Sequence, residues 1–444
     1  MLFCACDIET NTETSTESIA ISTPDSYQIE KVLAKTLNAW YPRTIDTIYG
    51  GFKTNFSYRW EPLSRQDKMI VTQARHLWTL SKIAAFFPDS VQYMNAAQHA
   101  YMFLSTKMRD AQNKGYFWMV NQEGQPLLDG YPNLFKRTYG NAFALYALAA
   151  YYELTYDPKV LLLAQELFKW LESYAHDEMY GGYYSTLNIS GEVLDSSMFA
   201  DQFPSSYFFY KDQNTSIHIL EAFTELYSVW PNELLKERLT EMFHLIRDRM
   251  VDERGYLRLY FYNNWTPISF QDSSLGVQEK NYDLDHVSFG HDIETAYLLL
   301  EASEALNHYQ YDGTMKVAKK MVDHTLRWGI DSIRSGIYDR GYYTQGFSQM
   351  KIVSPLKNWW SQAEGLNALY QFSKLYPDQQ LYAQAYMKLW VYTQDHVIDP
   401  NYYGWYPDGT DTHPESAFAP KASPWKGNYH TVRSLLNLMH NQEH

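Results

Sequence analysis

Cysteine is almost absent from this chain. The two present, Cys4 and Cys6, sit at the extreme N-terminus of 444 residues, so the folded body holds no disulfide and no thiolate to act as nucleophile or metal ligand. Basic runs are also missing, and the formal net charge is −14. That balance excludes the phosphate neutralisation a nucleic-acid partner requires and disfavours an anionic membrane surface. No apolar run approaches the roughly eighteen residues of a bilayer span. An HExxH zinc motif, a glycine-rich phosphate loop and a nucleophile elbow are all lacking. Whether the chain is a monomer or a homodimer stays open, since an exposed outer helix and an interface helix read alike.

The opening "MLFCACDIETNTETSTESIAISTPDS" is an apolar scrap followed by an acidic, Ser/Thr-rich tract, and residues 1–27 are expected to be disordered. Ala5 before Cys6 faintly resembles the end of a lipoprotein signal. A lipid anchor at Cys6 is therefore the alternative to a cytoplasmic location. Residues 28–444 are expected to form one catalytic domain.

What the chain has in excess is aromatic: 17% of residues, with 39 Tyr and 13 Trp. Flat rings serve packing, and they also wall sugar sites. A local pattern recurs six times, an aspartate followed by glycine and an aromatic or aliphatic cluster: "DTIYGGF", "DAQNKGYFW", "DEMYGGYY", "DERGYLRLY", "DSIRSGIY" and "DPNYYGWY". Its glycines, Gly51, Gly115, Gly182, Gly255, Gly336 and Gly404, are spaced 64 to 81 residues apart. Similar units at one period mean a repeat architecture.

Between the glycine clusters, apolar residues recur at helical spacing. The pattern predicts twelve helices, at 28–41, 66–87, 91–109, 139–155, 158–175, 214–229, 232–250, 291–306, 313–328, 358–375, 379–396 and 427–441. Six helical hairpins that cannot bury their apolar faces alone close most simply into an all-α (α/α)6 barrel, with short strands or hairpins at one end. An open solenoid is the alternative.

The phase of the polar residues carries the function. In each unit the helix after the glycine cluster bears unusual residues near its start: Arg75; Tyr139 and Asn141; Asn214 and His218; His291 and Glu294; Trp359, Trp360, Gln362 and Glu364; Trp425 and His430. If these helices form the inner ring, their beginnings meet at one mouth. Any one histidine could be plain core and any one glutamate a helix-terminal charge. Three histidines in the same phase, and carboxylates in otherwise buried segments, point to a pocket instead. His291 and Glu294 share a helix face, so the carboxylate is expected to orient the imidazole. A single HxxE is weak support for a metal site. Glu294 and Glu364 could be the acid pair of a glycoside hydrolase. Two imidazoles and an arginine suit proton abstraction beside a carbonyl, with the cation holding the enediolate oxygen. That chemistry yields a 2-epimer, or an aldose–ketose isomer if the proton returns to the neighbouring carbon.

Taken in order, "YGGF", "QARHLWT", "YGNAFALYAL", "NTSIHILEAF", "SFGHDIETAYLLLEA", "WWSQAEGL" and "WKGNYH" make residues 28–441 resemble the N-acylglucosamine 2-epimerase superfamily, most closely its cellobiose and mannose 2-epimerases. The resemblance implies inversion at C2 of an aldose after ring opening, without metal or cofactor. It implies His291 and His430 as the acid/base pair, Arg75 on the C1 and C2 oxygens, and Glu294 orienting His291. Tyr139, Asn214 and His218 would bind sugar hydroxyls. Trp359, Trp360 and Trp425 would stack on the sugar, and Glu364 would join the substrate site. Where cellobiose epimerases read approximately "NTHLH" and "PYHNGR", this chain reads "NTSIH" and "NYHTVR". Ser216, Thr431 and Val432 therefore leave monosaccharide and disaccharide substrates both open.

Overall fold

The computed structural model of the chain describes Pro24 and residues 26–127, 135–194, 210–344 and 349–440. Of residues 1–27, expected to be disordered, Ser26 and Tyr27 instead open the first helix; apart from Pro24, the remainder, with the Cys6 anchor, lies outside the described residues. An inner set of helices follows the glycine turns: α2 (Ile70–Phe86), α4 (Thr138–Thr155), α6 (Gln213–Val229), α9 (Phe289–Ala305), α11 (Trp359–Leu375) and α13 (Tyr429–His440). An outer set alternates with it: α1 (Ser26–Trp40), α3 (Val91–Phe103), α5 (Pro158–Trp170), α7 (Glu233–His244), α10 (Tyr311–Trp328) and α12 (Gln380–His396). The inner helices are buried all round; in α4 every residue from Thr138 to Tyr151 is covered. Each inner helix contacts the next, and α13 contacts α2. The ring is therefore closed, an (α/α)6 barrel and not an open solenoid. Among the described residues no helix is long and apolar enough to cross a membrane.

Two features depart from the predicted twelve helices. Three outer helices continue into π-helical turns, Leu104–Met108, Leu171–Ala175 and Leu245–Met250, which fill out the predicted ranges ending at 109, 175 and 250. A further helix, α8 (Leu275–Asp285), was not predicted. Its sequence "LGVQEKNYDLD" has no apolar stripe, and its buried residues are Gln278 and Asp285.

Short strands rim the barrel at the end where the inner helices begin. β1 (Lys68–Met69) pairs antiparallel with β2 (Met119–Val120), β3 (Phe135–Arg137) with β4 (Thr186–Asn188), and β5 (Lys211–Asp212) with β6 (Tyr260–Phe261). β7 (Val287–Ser288), β8 (Arg340–Thr344) and β9 (Gln349–Ser354) form a three-stranded sheet. Each pairing staples the lead-in to one inner helix onto the next repeat. Single bridges Asn358–Asp408 and Phe56–Ala422 complete the circuit.

The repeated aspartates explain why the rim is rigid. Asp46 accepts the backbone N–H groups of Ile48 and Tyr49, and its other oxygen accepts Lys68 Nζ at 2.8 Å. The same pair recurs as Asp110–Lys136, Asp177–Lys211, Asp331–Lys357 and Asp399–Lys421 at 2.6–2.9 Å, with every lysine buried. In the fourth repeat Val287 stands in place of the lysine, and Asp252 takes Arg254 and Arg258 instead.

A second recurring contact ties four of the six glycine turns to the inner helix that follows. Gln73 accepts the N–H of Phe52 and donates to its carbonyl. Gln362 does the same to Ile337, and Asn141 accepts from Tyr116 while donating to the Arg137 carbonyl. Gly51 must be glycine here: its φ is +66°, and a Cβ would come within 2.6 Å of Gln73 Oε1. Asn141 and Gln362, read from sequence among the pocket residues, thus belong to the framework.

In the fourth repeat this position is Asp292. It accepts the Leu257 N–H at 2.8 Å, but its other oxygen is buried with no donor among the described residues, 3.9 Å from His324 Nδ1. Burial drives its pKa well above the usual range, against the Leu257 hydrogen bond. A carboxyl so raised costs stability as pH climbs from the ordinary value of about 3.9 towards its folded value. Asp292→Asn replaces the partnerless oxygen by an amide N–H, the group that Gln73 and Gln362 present at this position, and should add about 1–3 kcal/mol at neutral pH. Melting curves from pH 5 to 9 should show the gap between variant and parent constant or widening with pH. A gap that narrows would contradict this account.

Candidate active site

Six inner-helix starts converge on the mouth, and His430 on α13 lies at their centre. Its Nδ1 donates to Glu364 Oε1 of α11 at 2.5 Å. On α6, His218 Nδ1 donates to Glu221 Oε2 at 2.8 Å, one helical turn on. A carboxylate only accepts, so both rings carry their proton on Nδ1 and leave Nε2 as the nitrogen available to a ligand. His291 on α9 is held differently, by Ser288 Oγ at 2.7 Å from its Nδ1. Trp360 packs against both imidazoles, its ring 4.6 Å from that of His291 and 5.7 Å from that of His430. Gly290 permits this approach, because a Cβ there would meet Trp360 at 2.5 Å.

Beneath the imidazoles a buried arginine joins three carboxylates. Arg433 Nη1 donates to Glu221 and, at 2.5 Å, to the Tyr429 hydroxyl; Nη2 donates to Glu294 and, at 2.6 Å, to Glu364. Tyr297 and Tyr429 hydroxyls donate to Glu364 and Glu221 at 2.5 and 2.6 Å. Burial would raise Glu221, but Arg433, His218 and Tyr429 outweigh it and bring the carboxyl down to about 2. Burial lowers both His291 and His430 well below the ordinary imidazole value; neighbouring imidazoles add to this at His291 and Arg75 at His430. Both are unprotonated at neutral pH.

The other predicted residues divide. Arg75 donates to the Tyr139 hydroxyl at 3.3 Å and lies over the rings of Phe143 and Tyr429, at 4.4 and 4.9 Å. Its Nε has no partner among the described residues. Tyr139 meets His218 edge to face at 5.4 Å. Trp425 is 54% exposed and approaches Tyr139 and Trp118 at the rim. Asn214 lines a cavity of about 280 Å³ with Ser288, His291, Asp339, Arg340 and Trp360.

Three expectations need correction. Glu294 does not orient His291: its carboxylate turns to Arg433, where a charged donor outcompetes a neutral ring, and it lies 4.0 Å from His430 Nδ1. Glu364 has both oxygens taken by Arg433, His430 and Tyr297, so it supports an imidazole and is not free for a substrate. Trp359, about 100° round the helix from Trp360, turns away from the imidazoles. Its ring faces Lys426 Nζ at 5.3 Å and its backbone N–H donates to Pro407. Sequence reading missed Glu221, Ser288, Tyr297, Tyr429 and Arg433. One signal was there: His218, His291 and His430 are each followed three residues later by a charged residue.

The family model for N-acylglucosamine 2-epimerase matches residues 50–434. The chain belongs to this family. A cellobiose 2-epimerase of Bacteroides fragilis is 26% identical over 415 residues, covering 92% of this chain and 97% of that protein. The solved structure of cellobiose 2-epimerase from Spirochaeta thermophila is 29% identical, with a TM-score of 0.78 and coverage of 94% and 97%. A D-mannose isomerase of Marinomonas mediterranea is 22% identical over 419 residues, covering 93% and 96%. Membership makes the chain a carbohydrate isomerase, as the sequence motifs implied.

In this epimerase-family site, Glu294, Glu364 and His430 bring potential metal-ligand atoms within 4.8 Å of one another. Arg433 already donates to both carboxylates there, and its fixed positive charge opposes a second cation. The same contacts bear on glycoside hydrolysis. One guanidinium nitrogen bridges Glu294 and Glu364, both fully buried, so no glycosidic bond can lie between them.

Proposed function

We propose that the protein inverts C2 of a reducing aldose, removing the C2 proton from the open-chain sugar with one imidazole and returning a proton to the opposite face with the other. The observation that carries this is the packing of His291 and His430 against the one ring of Trp360, each with Nδ1 occupied and Nε2 left for substrate. As the C2–H bond breaks, its electron pair moves into the C1–C2 bond and charge develops on O1. Arg75 holds that oxygen; its aromatic bed leaves the guanidinium edge unneutralised by any carboxylate among the described residues. Burial keeps the base unprotonated and ready at neutral pH.

Tyr139, Asn214 and His218 bind sugar hydroxyls, and Trp360 and the exposed Trp425 stack on sugar rings. Ser216, where cellobiose epimerases carry histidine, spends its hydroxyl on the Asp212 carbonyl of its own helix. Mannose and glucose are therefore substrates to test beside cellobiose.

Proton NMR of the EDTA-treated protein with each sugar in heavy water provides the test. Deuterium at C2 with appearance of the 2-epimer is expected. Fructose from mannose would instead mark an aldose–ketose isomerase, and exchange only after metal is restored would overturn the two-imidazole reading.

A further inference from the structure

The three imidazoles of the mouth are not held alike. His430 and His218 back onto carboxylates, while His291 rests on the hydroxyl of Ser288. Ser288 is the N-cap of α9, where a serine ordinarily accepts an N–H from two or three residues on. The caps of two sister helices behave so: Asp212 accepts from Thr215, and Asn358 from Ser361. Ser288 makes no side-chain cap bond, and its hydroxyl meets the imidazole instead. Its backbone is fixed by pairing of β7 with β8 opposite Arg340, and its side chain is buried. It lines the same cavity as His291, Asn214 and Trp360.

We propose that Ser288 is the positioning residue of His291, so that the two faces of the substrate meet two unlike bases, one backed by a carboxylate and one by a hydroxyl. This rests on the epimerase reading above. A hydroxyl both donates and accepts, so it follows either tautomer of the His291 ring without supplying a counter-charge. A carboxylate locks the tautomer and stabilises the imidazolium. The partners are therefore not interchangeable, and losing the hydroxyl weakens proton transfer on one face only.

The test is C2 deuterium exchange measured from each epimer separately, with glucose and mannose or with cellobiose and its 2-epimer, in Ser288→Ala. Exchange from one epimer should fall about tenfold, a part of the ~10²–10⁴-fold a positioned acid/base group supplies. The other epimer should keep its rate, KM should hold, and Ser288→Thr should restore exchange. If the alanine variant does not fold, Ser288→Cys keeps the volume with a far weaker hydrogen-bonding group and should show the same one-sided loss. Equal slowing of both epimers, or none, would overturn the proposal. Absence of exchange in the unmodified protein would overturn the epimerase reading itself, and is seen before any variant is made.

Discussion

Replacing His430 or His291 by asparagine will each lower interconversion of the two epimers by about 10²–10⁴-fold while leaving the fold intact. Asparagine is the informative choice because its amide can still donate to Glu364 where His430 Nδ1 does, and can pair with the Ser288 hydroxyl, which both donates and accepts, in place of His291. The buried acceptors stay satisfied, so circular dichroism melting curves should overlay. What is lost is the titrating nitrogen. The two-base scheme also predicts a residual activity that distinguishes the variants. A protein with one imidazole left can still remove and return a proton on its own face, exchanging deuterium into C2 of one epimer without inverting it. His430→Asn and His291→Asn should retain this exchange for opposite epimers. Near-normal interconversion by either variant, or residual exchange in the same epimer for both, would exclude the assignment.

The barrel was legible because its helices carry apolar residues at helical spacing and its turns repeat an aspartate and a glycine at a steady period. Those are local signals, and they located the helices whose starts form the mouth. α8 escaped because it buries almost nothing, so no hydrophobic pattern marks it. Within the site, residues facing the mouth at a helix start were readable by phase. Their partners were not. Arg433 meets Glu221, Glu294 and Glu364 across 212, 139 and 69 residues of chain, contacts that exist only once the ring has closed. Glu294 was assigned to His291 because three residues separate them, yet a guanidinium on another helix competes for the same carboxylate and wins. The adjacent tryptophans, Trp359 and Trp360, were likewise inseparable without knowing which of two helix faces points to the axis.

Arg433→Met should be the most damaging single change to stability. Removing one partner of a buried ion pair costs about 3–5 kcal/mol because the other charge is left without compensation. Here three carboxylates lose the same cation at once, against a total stability of roughly 5–15 kcal/mol. The variant should therefore be largely unfolded or far less stable in denaturant titrations at neutral pH, and added salt should not rescue it, since screening acts little on buried charges. Acid should narrow the deficit, and the sign follows from Glu221. In the parent its carboxyl is held down at about 2, so it contributes stability above the ordinary glutamate range that disappears as pH falls through that value. Without Arg433 the contribution is absent, and burial pushes the carboxyl up instead, so at Glu221 protonation relieves the variant and costs the parent. Adding Glu294→Gln to Arg433→Met should recover part of the loss, because it removes a charge with one oxygen already lacking any partner among the described residues. If Arg433→Met instead melts within a few degrees of the parent at neutral pH, the carboxylates are not all ionised in the folded protein. The imidazoles would then be held by a neutral network, not a charged one.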